Sequence, residues 1–257
     1  MSIARILVIA GSDSGGGAGI QADIKTITML GGHAMTAVTA ITAQNTLGVQ
    51  AVHAVPTDIV LAQIISCLED IGADAVKIGM IGSAGTAQAV AEVLEGLDVP
   101  IVFDPVMIAT SGSVLADSAT IAAFERLMRI ASVTTPNLPE LEALGGEAAV
   151  LAHGCHLLAK GGHAAGHWIV DRLLSPGGDE VARLEGKRFD TDDTHGTGCT
   201  LASAMACGLA QGMPADEAFR RAVRFVRIAL LSAPGLGQGH GPIGHALGVN
   251  PFDEIEG

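Results

Sequence analysis

The stretch IARILVIAGSDSGGGAGIQADIKTITML, residues 3–30, decides the fold. Ile3–Ala10 is a short apolar run rich in β-branched residues and ends at Gly11, as a strand buried on both faces does. A turn follows, Gly11-Ser12-Asp13-Ser14-Gly15-Gly16-Gly17. From Ala18 to Leu30 the residues Ile20, Ile24, Ile27 and Leu30 recur at helical spacing. Strand, glycine turn and helix together open a βαβ unit.

The pattern continues outward from there. Ala34–Ala43 and Val49–Val55 read as strands, and Thr57 and Asp58 can cap a helix running to Asp70. Short apolar strands at Ala75–Ile78, Val99–Phe103 and Ser132–Thr134 alternate with helices over 86–95 and 118–129. Leu157–Lys160 is a brief strand. Trp168–Leu174 and Val181–Lys187 form an antiparallel pair around Pro176-Gly177-Gly178. Two helices follow, Thr197–Ala210 and Ala215–Leu231, the first apolar almost all round and therefore buried. The tail from Pro234, rich in Gly, Pro and His, is a loop. The alternation predicts a three-layer α/β fold, a mostly parallel central sheet with helices on both faces, as one domain over residues 1–257.

Composition agrees with that core. Of 257 residues 49% are hydrophobic and 3% aromatic, with no Tyr, so Ala, Val, Ile and Leu must fill the interior. A net charge of −13 argues against nonspecific binding to nucleic acid or to an anionic membrane. Arg220, Arg221, Arg224 and Arg227 form a basic stripe interleaved with Val223 and Phe225, which reads as a solvated helix face. Cys67, Cys155, Cys199 and Cys207 include no CxxC pair, against zinc or a dithiol redox site. No signal peptide and no run of ~18 apolar residues is visible, so a reduced cytoplasmic setting is expected.

Open parallel sheets bind ligands at the carboxyl ends of their strands. Gly11-Ser12-Asp13, Lys77-Ile78-Gly79-Met80, Asp104-Pro105-Val106, Pro136-Asn137 and Lys160-Gly161-Gly162 all stand at such ends. Any one could be a simple turn; five on one rim point to a site. Neither G-x-G-x-x-G nor the P-loop pattern fits the first glycine loop. The stronger signal is Asp193-Thr194-His195-Gly196-Thr197-Gly198-Cys199-Thr200, running into the buried helix. Gly196 and Gly198 let a ligand approach the free N–H groups of the first turn, an anion hole for a phosphoryl group. In that turn the Cys199 thiol is expected to ionise more easily than usual.

Several blocks recur in a known order: GSDSGGGAGIQADIK (Gly11–Lys25), TAQN (Thr42–Asn45), KIGM (Lys77–Met80), DPVM (Asp104–Met107), TPNLPE (Thr135–Glu140), KGGH (Lys160–His163) and HGTGCT (His195–Thr200). With the ending GxGHGP (Gly237–Pro242) and NPF (Asn250–Phe252), the chain resembles the bacterial hydroxymethylpyrimidine/phosphomethylpyrimidine kinases of thiamin biosynthesis, in the ribokinase-like superfamily. The resemblance implies ATP-dependent phosphorylation of a pyrimidine hydroxymethyl group and then of the monophosphate. It implies a substrate pocket lined by Gly11, Asp23, Gln44, Met80 and Val106, with Cys199 at the reacting end beside Gly196, Thr197 and Gly198. An amide such as Gln44 offers both a donor and an acceptor to an aminopyrimidine, and Met80 an adaptable apolar wall. On the nucleotide side it implies Asn137, Lys160, Gly162 and Thr197 at ATP, with Asp104 and Glu140 near Mg²⁺. It also suggests a homodimer. His33, His53, His153 and His195 match no role and read as ordinary surface or loop histidines.

Two departures stand out. Where the family carries a Lys after DPVM, this chain has Thr110, which weakens the case for tight binding of the phosphorylated intermediate. The stretch Gly145–Gly154 also looks short, so a peripheral helix is expected to be trimmed or lost. Two rival readings remain: a pyridoxal kinase of the same superfamily, and a non-catalytic ligand-binding protein that kept the pocket. The second predicts decay of the phosphate site, yet Gly196, Gly198, Asn137 and Glu140 are all present.

Overall fold

Among the described residues nine strands lie side by side in the order β3-β2-β1-β4-β5-β6-β7-β8-β9. The computed structural model describes residues 3–109, 112–163 and 166–247. The core strands are β1 (Arg5–Asp13), β2 (His33–Asn45), β4 (Ala75–Ile78), β5 (Ile101–Phe103), β6 (Val133–Thr134) and β7 (His156–Ala159), all mutually parallel. The flanking strands β3 (Gly48–Ala54), β8 (Trp168–Leu174) and β9 (Glu180–Lys187) run antiparallel to their neighbours. Because β1 and β4–β7 share one direction, their carboxyl ends open on a single edge.

Alternation along these strands feeds two apolar layers. Leu7, Ile9, Val76, Ile78 and Phe103 face α2 (Thr57–Asp70), α3 (Ala84–Leu94) and α4 (Ser118–Ile130). Ile6, Val8, Val102 and Val133 face α1 (Gly19–Met29), α7 (Thr197–Ala210) and α8 (Ala215–Leu231). Nine consecutive residues of α7, Thr200–Gly208, are buried, as its all-round apolar sequence requires.

Some boundaries differ from the expectation. Strand β1 does not stop at Gly11 but pairs on to Asp13, beside Thr42 of β2. Pro56 takes the N-cap position of α2 without any side-chain cap, so Thr57 and Asp58 belong to its first turn. Two short helices went unread: α5 (Leu138–Ala143) and α6 (Glu147–Leu151). The Gly145–Gly154 segment therefore retains a helix, although one of only five residues. The arginine stripe of α8 is not uniformly solvated. Arg227 reaches the carbonyls of Glu185 (3.2 Å) and Lys187 (3.4 Å), and Arg221 that of Leu30 (3.1 Å). Thr110 and Asn250–Phe252 lie outside the described residues. Among the described residues no helix is long and apolar enough to cross a membrane.

Candidate active site

Helix α7 begins at Gly196, whose φ of 88° is a left-handed conformation suited to glycine. The first helical hydrogen bond is donated by Thr200 to Gly196 (2.9 Å). The amides of Gly198 and Cys199 precede it and point out of the helix end; that of Thr197 turns toward Thr194 O at 3.3 Å. A methyl at Gly198 would sit 3.3 Å from Lys160 Nζ and 3.7 Å from Asp104 Oδ2. The anion hole therefore abuts the ends of β5 and β7.

Lys160 is shared by two acids, Asp104 at 2.7 Å and Glu140 at 3.8 Å. Thr135 Oγ1 donates to the same Asp104 oxygen at 3.0 Å. Glu140 is held in place by a capping box: Asn137 Oδ1 accepts its N–H (2.9 Å), and its carboxylate accepts the Asn137 N–H (2.8 Å). Asn137 thus serves as the N-cap of α5, which explains why an N-x-x-E spacing stands here. Burial and Asp104 push the Glu140 carboxyl up despite the Lys160 charge. Burial also opposes the Lys160 charge, but Asp104 and Glu140 outweigh it and keep the ammonium protonated. Two carboxylates sharing one ammonium leave a net negative charge that suits a further cation. Mg²⁺ fits, since it takes one or two carboxylates and completes its shell with phosphates and water. Among the described residues no group of three or more His, Cys, Asp or Glu is placed to hold a metal ion. Gly161 N–H is tied to Asp171 (2.9 Å), whereas Gly162 faces open space.

The opposite wall comes from β1, β2 and β4. A methyl at Gly11 would meet Met80 Sδ at 3.0 Å, so the glycine lets the thioether lie against the strand end. Gln44, Met80 and Val106 are all half-buried. Ser14 brackets Gln44, donating to its carbonyl and accepting its N–H, each at 2.8 Å.

Two expectations need correction. Asp23 does not line an open pocket. It is fully buried, bound by Lys77 Nζ at 3.0 Å on both oxygens and by Ser203 Oγ at 2.7 Å. The Cys199 thiol is not acidified. Desolvation dominates, with Asp23 and Asp104 adding to it; Lys77 and the Gly19 N–H oppose, and the thiol is pushed up to about 11.

His195 is also misread as an ordinary loop residue. It is 7% exposed, and its Nε2 lies 2.8 Å from Asp13 Oδ2. Asp13 additionally accepts the N–H groups of Gly15 (2.8 Å), Gly17 (3.0 Å) and Ala18 (2.8 Å). Burial works to raise this carboxyl, but the His195 and backbone hydrogen bonds prevail and hold it below the usual range. A Cβ on Gly196 would overlap the Gly17 carbonyl, so the two glycine loops touch. The tail crosses the same place: His195 N donates to Gly241 O (3.0 Å), His240 N to Thr46 O (2.9 Å), and His245 Nε2 meets Thr200 Oγ1 at 2.9 Å.

A parallel sheet presenting an anion hole, a lysine and two carboxylates at one edge defines a small-molecule kinase of the ribokinase-like class. The comparisons agree. The profile of phosphomethylpyrimidine kinase matches residues 13–244. A hydroxymethylpyrimidine/phosphomethylpyrimidine kinase of Streptomyces coelicolor is 48% identical over 95% of both chains. Among solved structures, an ADP complex of Bacillus subtilis pyridoxal kinase superposes with a TM-score of 0.87 at 32% identity, covering 95% of this chain and 98% of that one. A phosphomethylpyrimidine kinase from Clostridium difficile gives 0.75 at 36% identity, over 88% and 99%. The chain belongs to the phosphomethylpyrimidine kinase family.

Proposed function

We propose that the protein transfers the γ-phosphoryl group of ATP to the hydroxymethyl group of 4-amino-5-hydroxymethyl-2-methylpyrimidine, and then phosphorylates the monophosphate to the diphosphate, for thiamin biosynthesis. One observation carries this reading: Gly198, in the first turn of α7, abuts both Lys160 and Asp104. Backbone donors, a cation and a carboxylate thus meet where a transferring phosphoryl group needs them.

In this reading Gln44 pairs with the aminopyrimidine edge, while Met80 and Val106 hold the ring with Gly11 beneath. The hydroxyl oxygen bonds to the γ-phosphorus as the bond to the β–γ bridging oxygen breaks and ADP leaves, and the hydroxyl proton passes to the transferred phosphoryl group and on to solvent. The Gly198 and Cys199 amides, with that of Thr197 behind them, receive the charge on the transferring group. Lys160 turns from its acids toward the phosphates, and Asn137 and Gly162 shape the nucleotide side. Mg²⁺, which supplies charge neutralisation when bound, would be held by Asp104 and Glu140. With its pKa raised to about 11, Cys199 is a neutral thiol at pH 7. It orients the hydroxyl rather than abstracting its proton, and a loose phosphoryl transition state demands little base assistance.

The continuous nine-stranded sheet supports one kinase domain; a homodimer in the cytoplasm accords with the resemblance. Pyridoxal phosphorylation is the second reading, favoured by the backbone likeness to a pyridoxal kinase. Relatives at higher identity favour the pyrimidine. ATP consumption measured in parallel with hydroxymethylpyrimidine, its monophosphate and pyridoxal decides. A kcat/KM for pyridoxal above that for the pyrimidine would reverse the assignment, and no turnover on any of them would end it.

A further inference from the structure

His195 stands between Gln44 and the anion hole, and its hydrogen bonds leave little freedom. Asp13, ionised, can only accept, so His195 Nε2 carries a proton and directs it at Asp13 Oδ2, 2.8 Å away. Gln44 Nε2 lies 3.4 Å from the same ring nitrogen, and Gln44 Oε1 lies 3.1 Å from the Thr42 hydroxyl; the two ends of an amide can be exchanged by turning it over. A protonated Nε2 has no lone pair for an amide N–H. Thr42 Oγ1 also lies 3.0 Å from Ser12 O, to which its one proton can go. Turning the amide over removes this N–H to N–H encounter: Thr42 donates to Ser12, the Gln44 nitrogen donates one N–H to Thr42, and the Gln44 oxygen faces the His195 N–H that Asp13 already accepts, leaving the second amide N–H for a ligand. The burial of Asp13 and His195, at 3% and 7% exposure, makes this arrangement costly to abandon.

We propose that His195 is a positioning residue: anchored by Asp13, it fixes the orientation of the Gln44 amide and so sets which donor–acceptor edge of a heteroaromatic substrate the site accepts. This rests on the reading of Gln44 as the group that pairs with the pyrimidine. The residue immediately after His195 opens the anion hole, so the same anchor holds substrate recognition and phosphate binding in register. The glycine loops are shaped to permit this, since a methyl on Gly17 would overlap the imidazole.

A double-mutant cycle between positions 44 and 195 tests it, with hydroxymethylpyrimidine and ADP titrated separately by calorimetry and steady-state kinetics beside them. His195→Ala is expected to weaken pyrimidine binding and raise its KM at least tenfold, with ADP affinity within twofold of the parent. His195→Gln, whose amide nitrogen can donate toward Asp13 as Nε2 does, should recover most of that loss, and it keeps the test open if the alanine variant does not fold. In a Gln44→Ala background either His195 substitution should cost no more than a further twofold. Losses that multiply in the double variants, or that fall equally on ADP, would overturn the positioning role and leave His195 as a loop anchor. Unchanged pyrimidine binding in Gln44→Ala alone would overturn the reading of Gln44 itself, and this inference with it.

Discussion

Two lysine–aspartate pairs flank the start of α7, and they share chemistry but not surroundings. Lys77–Asp23 is sealed, with both side chains at 0% exposure and Ser203 completing the shell. Lys160–Asp104 lies at the rim, with the lysine 11% exposed and a second acid 3.8 Å away. Burial opposes the Lys77 charge, but Asp23, with Asp104 further off, holds it protonated. A sealed ammonium, hydrogen-bonded to Asp23, reaches the site only through its field, which works to lower the Cys199 thiol. A rim ammonium can exchange its acids for phosphates. The contrast shows that charge type at a strand end does not assign a role; access does.

Substitutions that keep volume and remove charge break the comparison most directly. Lys77→Met should have the largest effect, since it strands Asp23 in the core at a cost of about 3–5 kcal/mol. Urea unfolding would record it, and a loss below 1 kcal/mol would mean that Asp23 is neutral without its partner. Cys199→Ala comes next: turnover should fall roughly a hundredfold, as for loss of a contact that orients the reacting hydroxyl, with stability and ADP affinity retained. In the parent enzyme kcat should show no rise from thiol ionisation between pH 7 and 9, because the folded thiol ionises near 11. A Cys199-dependent rise in that window would restore the thiolate base. Lys160→Met should raise the KM for ATP about tenfold, the scale of one charged hydrogen bond, while unfolding free energy changes far less than in Lys77→Met. Equal destabilisation of the two variants would erase the distinction.

Gly198→Ala sharpens the comparison from the helix side. Alanine at a helical position adds up to ~1 kcal/mol of stability, but its methyl crowds Lys160 Nζ at 3.3 Å. A several-fold drop in kcat with an unchanged or higher Tm is expected; a drop in both would indicate a packing defect. The smallest effect should come from Thr110→Lys, which returns a third cation to the family position. A few-fold gain in kcat/KM confined to the monophosphate is expected, and an equal gain on the alcohol would remove position 110 from the second step.

Regular features were legible because they are local. The β-branched runs of β1 and β4, the apolar stripe of α1 and the ends of α7 and α8 follow from spacing alone. Helix α5, at six residues, is too short to show a period, and an N-x-x-E spacing suits a capping box and a nucleotide site alike. Asp23 and Cys199 were misjudged for a different reason. Their properties depend on desolvation by α7 and β4, and burial depth has no linear signature. His195 escaped because its partner Asp13 is 182 positions away. The Gly17–Gly196 contact was the available clue: two glycine loops each too crowded for a side chain must face something large, or each other.

The tail carries a consequence for how the enzyme is made. Asp13 leaves the ribosome early, yet its partner His195 follows 182 residues later, and Gly239 follows its own partner Thr46 by 193. His245 on Thr200 is later still. All nine described strands precede α7 and α8, so in the interval the nascent chain holds a sheet with one face still uncovered and an unfinished cleft, and α8 is made before the tail that completes the site. Acquisition of catalysis should therefore lag behind acquisition of protease resistance during synthesis, by the time needed to translate the last loop across the site.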